Sequence, residues 1–495
     1  MNTVSVVVFF SFFALVTIIG FLSARWKKAD LTHFHEWGLG GRRFGVWVTW
    51  FLLGGDLYTA YTVIAVPALV YSVGAYGLFA VPYTILIYPF AFLVMARLWT
   101  ICHQENHMTA ADLVLGRHGS RLLELAVAVT GLVATMPYIA LQLVGMQAVF
   151  KGLGFGEGHT PLYIAFGVLA VYTYSSGIRA PAMIAVVKDL MIYITVFAAV
   201  AVIPHKLGGY GAIFDAADSY FKNGPKAATA GLLLHPGQFL PYATVALGSA
   251  LALFMYPHTM TGVLSATSER TIRKNMMILP AYSIVLGLIA LMGFMAIAAG
   301  IKVGSSSDVV PALFQAMFPP WFVGFGFAAI SIGALVPAAI MSIGTANLFT
   351  RNVWKPFIHP GMTSQEEAKV AKIASLVVKF GALLVILFLP TQFAIDLQLL
   401  GGVCMLQILP AILFALYRGF PVKVSGTALF VGWLVGIVLG NYLAILSGKK
   451  PIYAFHVGSG TYACYIGLVA LAANFLAAFA ASAVFPRREK AAATA

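Results

Sequence analysis

An acidic residue inside an apolar run is the first feature of this chain that calls for chemistry. Asp56 sits in Gly54-Gly55-Asp56-Leu57-Tyr58-Thr59-Ala60-Tyr61, between the apolar residues 46–53 and 63–71. A bare charge in such a run is costly, and two glycines loosen the helix at the same point. A second apolar run, residues 248–262, is broken by Tyr256-Pro257-His258. A broken helix exposes unpaired N–H groups at one half-helix end and unpaired carbonyls at the other. The N–H ends suit a carboxylate and the carbonyl ends suit a cation. A small anion and a Na⁺ or H⁺ can therefore be held together without a buried arginine.

Around these breaks stand side chains with polar tips on apolar bodies. Asp56, Tyr58, Tyr61, Tyr138, Gln142, Tyr256 and His258 are the candidate substrate contacts. Each also has an ordinary reading. Asp56 can cap the second half of its own helix. His258 can bond a carbonyl freed by the Pro257 kink. Gln142 can bond a neighbouring helix, and the tyrosines can simply pack. Lys188 and Lys379 are the basic residues that fall within apolar runs. Lys379 lies close enough to a span end to be expected to snorkel to the surface.

The rest of the composition sets the frame. The chain has 495 residues, 61% hydrophobic and only 9% charged. A water-soluble domain could not bury that much apolar surface. About thirteen spans of roughly 20 residues can be placed. They centre near Ala14, Thr59, Ile87, Thr135, Val168, Ile194, Leu253, Ile289, Ala334, Leu383, Met405, Val435 and Ala473. The net charge of +14 does not indicate nucleic acid, because the basic residues alternate by loop. With an external N-terminus, the inner loops hold clusters such as Arg25-Lys27-Lys28, Arg270-Arg273-Lys274 and Arg487-Arg488-Lys490. The outer loops hold scattered lysines such as Lys151, Lys222 and Lys302. That bias predicts an N-out, C-in topology.

The first 22 residues carry no basic segment ahead of the apolar run, so they read as a retained span. Three cysteines form no CxxC and no even disulfide set. No Walker sequence implies an ATP-driven pump. No nucleophile–base spacing or metal-ligand cluster suggests an enzyme; His103 and His107 are four apart but read as loop surface. No output domain is expected after the last span, no protein partner is indicated, and the bilayer is the expected surround.

Several segments carry a family resemblance. Gly40-Gly41-Arg42, the Gly-Gly-Asp break with Pro67 after it, Tyr256-Pro257-His258 and Ala338-Ala339-Ile340-Met341-Ser342 resemble the sodium:solute symporter family over nearly the whole chain. Within it, Ala134-Thr135-Met136-Pro137-Tyr138, Ser176-Gly177-Ile178-Arg179-Ala180-Pro181 and Ala346-Asn347-Leu348-Phe349-Thr350-Arg351-Asn352 are similar to bacterial monocarboxylate permeases. The resemblance implies an all-α polytopic membrane protein with a five-helix inverted repeat, broken in its second and seventh spans. Its expected parts are an extra first span (1–24), one repeat (45–204), an external loop (205–239), the second repeat (240–417), two further spans (423–486) and a cytoplasmic tail (487–495).

By the same resemblance, a coupling Na⁺ would be held by the carbonyls of Gly54, Leu57 and Ala339 and by hydroxyls at Ser342 and position 343. Position 343 is Ile, which removes one oxygen ligand from a hard cation's site. Thr345, on a similar face, is the available substitute. In the sixth span the family shows Thr-Asp, and this chain has Lys188-Asp189. A buried lysine there reads either as one that is paired or snorkels, or as an ammonium that replaces Na⁺ and couples transport to protons. The expected activity is symport of short monocarboxylates such as lactate, pyruvate or propionate, driven by Na⁺ or H⁺, in a bacterial inner membrane with no cofactor. A neutral amino acid cargo and a transport-derived sensor are the alternatives.

Overall fold

The structure, a computed structural model, describes residues 2–26, 30–59, 61–156, 158, 160–388, 394–417, 419 and 423–486, with residues 61, 386–388, 394, 395 and 397 described in backbone only. The Tyr61 side chain, the basic residues Lys27, Lys28, Arg418, Arg487, Arg488 and Lys490, and the 487–495 tail lie outside the described residues.

Apolar runs with few internal breakers become helices, and the polar residue ahead of several of them fixes where they start. Asn2 accepts from the Val4 N–H at the head of α1 (Thr3–Leu22). The break follows as α2 (Val46–Gly55) and α3 (Thr62–Val73). Next come α4 (Ala80–Gln104), α5 (Arg121–Gly152), α6 (Thr160–Ser176) and α7 (Arg179–Lys206). Ser120 caps α5 by accepting from the Leu123 N–H. The second half contains α8 (Phe239–Leu253), α9 (Pro257–Leu264), α10 (Pro280–Ala298), α11 (Pro320–Phe349) and α12 (Ser364–Phe388). It ends with α13 (Ala394–Leu406), α14 (Leu409–Leu416), α15 (Gly426–Leu446) and α16 (Ile466–Val484).

Each expected span centre falls on a helix or in the gap between two helices. Among the described residues, 8 helices are long and apolar enough to cross a membrane, or up to 10 if each of two bent pairs is one span. The long connection after α7 carries a surface helix, Tyr210–Lys222.

The backbone is interrupted where Gly-Gly-Asp and Tyr-Pro-His predict. α2 stops at Gly55, the chain turns through residues 56–59, and helix resumes with a π turn at Tyr61–Ala65. α8 stops at Leu253 and α9 starts at Pro257, with a bend of 48°. Proline suits that first helical position because its missing N–H would be unpaired anyway. A third bend, 42° between Leu406 and Leu409, was not anticipated. Pro410 at the start of α14 is its sequence signal.

The all-α expectation needs one correction. Between α15 and α16 the chain forms a hairpin, β1 (Ile452–Val457) paired antiparallel with β2 (Gly460–Tyr465). Alternating β-branched and aromatic residues favour strands, and Gly458 takes φ +59° at the turn. A second correction concerns Lys379. It is 1% exposed and donates to the Ser375 carbonyl of its own helix at 3.4 Å. It stays in the core instead of reaching the surface, because its face of α12 is covered; its neighbours Ser375, Val378 and Ala382 are buried too.

One helix organises the packing. The most apolar stretch of α11 is wholly buried, against 22% for that of α1 and 28% for that of α15. α11 touches α1, α5, α7, α9 and α12. Small residues make this possible, since lipid gives helices no hydrophobic reason to associate and close backbone approach must replace it. A methyl group added at Gly344 would lie 2.8 Å from the backbone of His258. The outer helices keep large side chains exposed, among them Ile284, Phe380 and Leu476, as a lipid-facing surface requires.

Gly344→Ala should push α9 away from α11. Overpacking of this kind typically costs ~1–3 kcal/mol. Thermal unfolding of the purified protein is expected to move down accordingly; an unchanged midpoint would show that the α9–α11 contact is not tight.

Candidate functional site

The first break is closed by a buried cation. Lys188 Nζ, fully buried on α7, donates to the carbonyl of Gly55 at 2.5 Å and to that of Tyr58 at 3.1 Å. It also lies 2.9 Å from Asp189 Oδ1. Those carbonyls belong to the unwound stretch, where no following helical turn supplies an N–H. Asp189, likewise buried, accepts on Oδ2 from the Tyr282 hydroxyl at 2.7 Å. Tyr282 packs against Tyr58 with ring centroids 4.6 Å apart, and the Tyr58 hydroxyl donates to the Tyr282 carbonyl at 3.1 Å. Both glycines of the motif are needed for this approach. A Cβ on Gly54 would fall 2.2 Å from the Tyr282 ring, and one on Gly55 would fall 3.0 Å from Lys188 Nζ.

The expected ion ligands are placed differently from one another. Leu57 O accepts from the Thr62 hydroxyl. Ala339 O accepts from the Ser342 hydroxyl at 2.8 Å. Gly54 O accepts from the Leu57 N–H at 2.9 Å. Ile343 is fully buried, and the Thr345 hydroxyl is buried with no hydrogen-bond partner. The ammonium of Lys188 therefore occupies carbonyls one residue beyond the pair expected for Na⁺, while the Thr345 oxygen is uncommitted.

The second break meets the first. Asp56 Oδ2 accepts from the Thr259 hydroxyl at 3.0 Å and lies 3.2 Å from His258 Nε2. The His258 ring packs between Tyr138 (5.6 Å) and Tyr256 (5.3 Å), whose own centroids are 5.5 Å apart. Thus Asp56, Tyr138, Tyr256 and His258 form one cluster and Tyr58 belongs to the Lys188 cluster. Gln142 is buried on α5 and donates to the Tyr138 carbonyl at 3.2 Å.

Two pockets flank the Tyr-Pro-His break. One is lined by Tyr83, Ser249, Leu253, Tyr256, Gln398 and Tyr465. The Ser249 hydroxyl and Gln398 Oε1 are buried there without protein hydrogen-bond partners, which gives this pocket a polar part. The other lies towards the basic loops and is mostly apolar, with Met108, Val127, Pro257, Met260, Leu264 and Leu348 among its walls. Sequence reasoning missed Tyr83, Ser249, Gln398, Tyr465, Tyr282 and Tyr193, the last with its ring 5.7 Å from that of Tyr58. Isolated hydroxyls and amides in apolar spans give no local signal of what they face. Thr259, directly after Tyr-Pro-His, was the one within reach.

The Ser-Gly-Ile-Arg-Ala-Pro and Ala-Asn-Leu-Phe-Thr-Arg-Asn segments do other work. Arg179 donates to Glu36 at 2.6 Å and to the Trp26 carbonyl. Asn347 donates to the Gly38 carbonyl at 3.1 Å. Asn352 donates to Asp112 and Glu124, both at 2.8 Å, and Arg351 pairs with Glu367. These ties fasten the basic face of the bundle and do not line the polar pocket.

Tyr282→Phe should remove the hydroxyl that Asp189 accepts while keeping the ring. Leaving a buried acceptor unsatisfied costs ~1–3 kcal/mol. The expected outcome is a lower thermal midpoint in detergent; an unchanged midpoint would mean that Asp189 is satisfied by other groups.

Comparison with known proteins fits this geometry. The sequence profile of the sodium:solute symporter family matches residues 37–436. The chain is 58% identical over 488 residues, 98% of each chain, to a monocarboxylate transport permease protein of Rhizobium johnstonii. It is 33% identical over 465 residues to YodF, an uncharacterized symporter of Bacillus subtilis, covering 93% of this chain and 90% of the relative. Among solved structures, a Na⁺-coupled sialic acid symporter in a substrate-bound, outward-open state superposes with a TM-score of 0.80 over 99% of this chain and 100% of that one. At 14% identity that likeness speaks for the fold alone. Family profile and relatives agree over most of the length: this multi-pass membrane chain is a member of the sodium:solute symporter family.

Proposed function

We propose that this protein is a secondary-active symporter that takes up short monocarboxylates, such as lactate, pyruvate or propionate, together with a proton. The observation that carries the proton assignment is Lys188, whose ammonium sits on the Gly55 and Tyr58 carbonyls of the first break. With two carbonyls and a carboxylate around it, this amine fills the place where a transported cation would bind. The substrate class is supported by the high identity to a protein named as a monocarboxylate transport permease. The two pockets on either side of Tyr256-Pro257-His258 suit alternating access, in which one side opens while the other closes. Thirteen spans in an N-out, C-in arrangement in a bacterial inner membrane, with an inverted repeat over 45–204 and 240–417, complete the reading.

Membership of a family named for sodium favours a second reading, in which Na⁺ drives uptake through Thr345, Ser342 and the carbonyls of Ala339 and Leu57. Uptake of radiolabelled lactate into proteoliposomes separates the two. A pH gradient without Na⁺ is expected to drive accumulation, and membrane potential alone to drive little, because one anion moving with one H⁺ carries no net charge. Accumulation under a Na⁺ gradient at equal pH, and none under a pH gradient, would reject proton coupling.

Two variants sharpen the test. Lys188→Ala leaves Asp189 as an uncompensated buried charge, a loss of ~3–5 kcal/mol. Its pH-driven uptake should vanish, and Na⁺ should raise its thermal midpoint by filling the vacated carbonyls; a variant that transports normally and ignores Na⁺ would remove Lys188 from the mechanism. Asp56→Ala should lower uptake about tenfold or more, equivalent to at least ~1.4 kcal/mol, while the amount of folded protein in the membrane falls far less. Normal uptake by Asp56→Ala would remove that residue too.

A further inference from the structure

Proton coupling needs a group that gains a proton when substrate arrives, and Lys188 is badly suited to that task. Its ammonium is already paired with two carbonyls and Asp189, all buried, which leaves it no free donor for an entering anion. His258 is differently placed. It is the second residue of α9, 1% exposed, and neither of its ring nitrogens makes an aligned hydrogen bond. Its Nε2 lies 3.2 Å from Asp56 Oδ2, and Asp56 Oδ1 is also buried without a partner. Three polar atoms at the meeting point of the two broken spans are thus uncommitted, although Oδ2 already takes the Thr259 hydroxyl.

The ionisable groups around this pair are few. The unwound stretch after α2 brings Asp56 itself and the Tyr58 phenol, and α7 brings Lys188 and Asp189 to the carbonyls on either side of Asp56. From α4 come the phenols Tyr83 and Tyr88, with Arg97, Cys102 and His103 towards its far end. α5 brings Tyr138, and Tyr256 precedes α9. The short helix Phe34–Leu39 brings His35 and Glu36, the latter already held by Arg43 and Arg179. α11 has no ionisable side chain; it presents Ser342, Thr345 and Asn347. Lys188 is thus the cation beside this pair, and it is already tied to Asp189 and to the carbonyls of Gly55 and Tyr58.

We propose that the His258–Asp56 pair is the proton-loading site, and that it takes the proton and the substrate carboxylate as one neutral unit. A neutral imidazole has one N–H, which Asp56 can accept. An imidazolium has two. Its Nε2–H faces Asp56, and its Nδ1–H is then free to donate to the substrate carboxylate. A carboxylate entering alone would add a negative charge beside Asp56 in a low-dielectric core. A proton entering alone would leave the second N–H of the imidazolium buried without an acceptor. Entering together they leave the total charge unchanged, so each makes the other's binding cheaper. In the step itself a solvent proton adds to the imidazole lone pair, no covalent bond to substrate forms, and both leave on the opposite side. This assignment rests on the proton-coupled reading.

The test uses the purified full-length chain with L-lactate as probe, in weakly buffered solution near neutral pH. Wild type is expected to take up about one proton per lactate bound. His258→Gln, which keeps a polar side chain of similar reach but cannot titrate, should bind lactate more weakly and take up at least tenfold less proton per lactate bound. In proteoliposomes its residual lactate exchange should no longer respond to pH. If His258→Gln fails to fold, wild type labelled with ¹⁵N-histidine decides: infrared difference spectra should show one imidazole becoming imidazolium as lactate binds. Full proton uptake by His258→Gln, or proton uptake by wild type without an imidazolium signal, overturns the assignment to His258 alone and leaves proton coupling standing. Lactate binding by wild type with no proton uptake at all overturns both.

Discussion

The constraint on which this molecule depends is that backbone carbonyls in a membrane must find a partner inside the protein. Unwinding the second span at Gly55 frees carbonyls that water cannot reach. The chain answers with Lys188, and a buried ammonium in turn demands an anion, which Asp189 provides. Asp189 then needs a donor, which Tyr282 provides, and Tyr282 can approach only because residue 54 has no side chain. Each element of this chain of necessity is cheap only in the presence of the next. Lys188-Asp189 and the Gly-Gly break are therefore one structural unit, although 133 residues separate Lys188 from Gly55.

The same constraint shapes the other break. Pro257 starts α9 without wasting a donor, and the half-helix begins directly beside Asp56. The all-buried helix α11 sets how close the two breaks come, since Gly344 lets it sit against the backbone of His258 and Gly333 brings it near the Tyr58 carbonyl. A family that carries many solutes can keep this frame and change only what faces the pockets. Here one pocket presents hydroxyls, an amide and aromatic rings, the other mostly methionine and aliphatic side chains, and neither has an arginine in its walls.

Much of this was legible in the residues because membrane insertion writes strong signals. Twenty-residue apolar runs, basic loops and glycine or proline breaks are each one-dimensional patterns, and the helices stand where they predict. The bend between α13 and α14 was missed because Pro410 sits near a span end, where proline is unremarked. The hairpin was missed because six-residue strands are too short to stand out beside membrane helices.

What the sequence by itself determined was the type of protein, the breaks at Gly-Gly-Asp and Tyr-Pro-His and the oddity of Lys188, since these follow from the cost of polar groups in hydrocarbon. Partnership was decided only in three dimensions. Adjacent residues on a helix point about 100° apart, so nothing in the order Lys188-Asp189 says that they contact each other, nor that Tyr282 completes the set. Lys379 and Lys188 look alike in sequence, yet one is ringed by acceptors and the other reaches only a carbonyl of its own helix. Two of the three segments that most resembled a subfamily proved to fasten the basic face and the third placed Tyr138 against His258, while the polar pocket drew on Tyr83, Ser249, Gln398 and Tyr465 from four separate parts of the chain. Long-range proximity is a property of packing, and a local pattern carries no record of it.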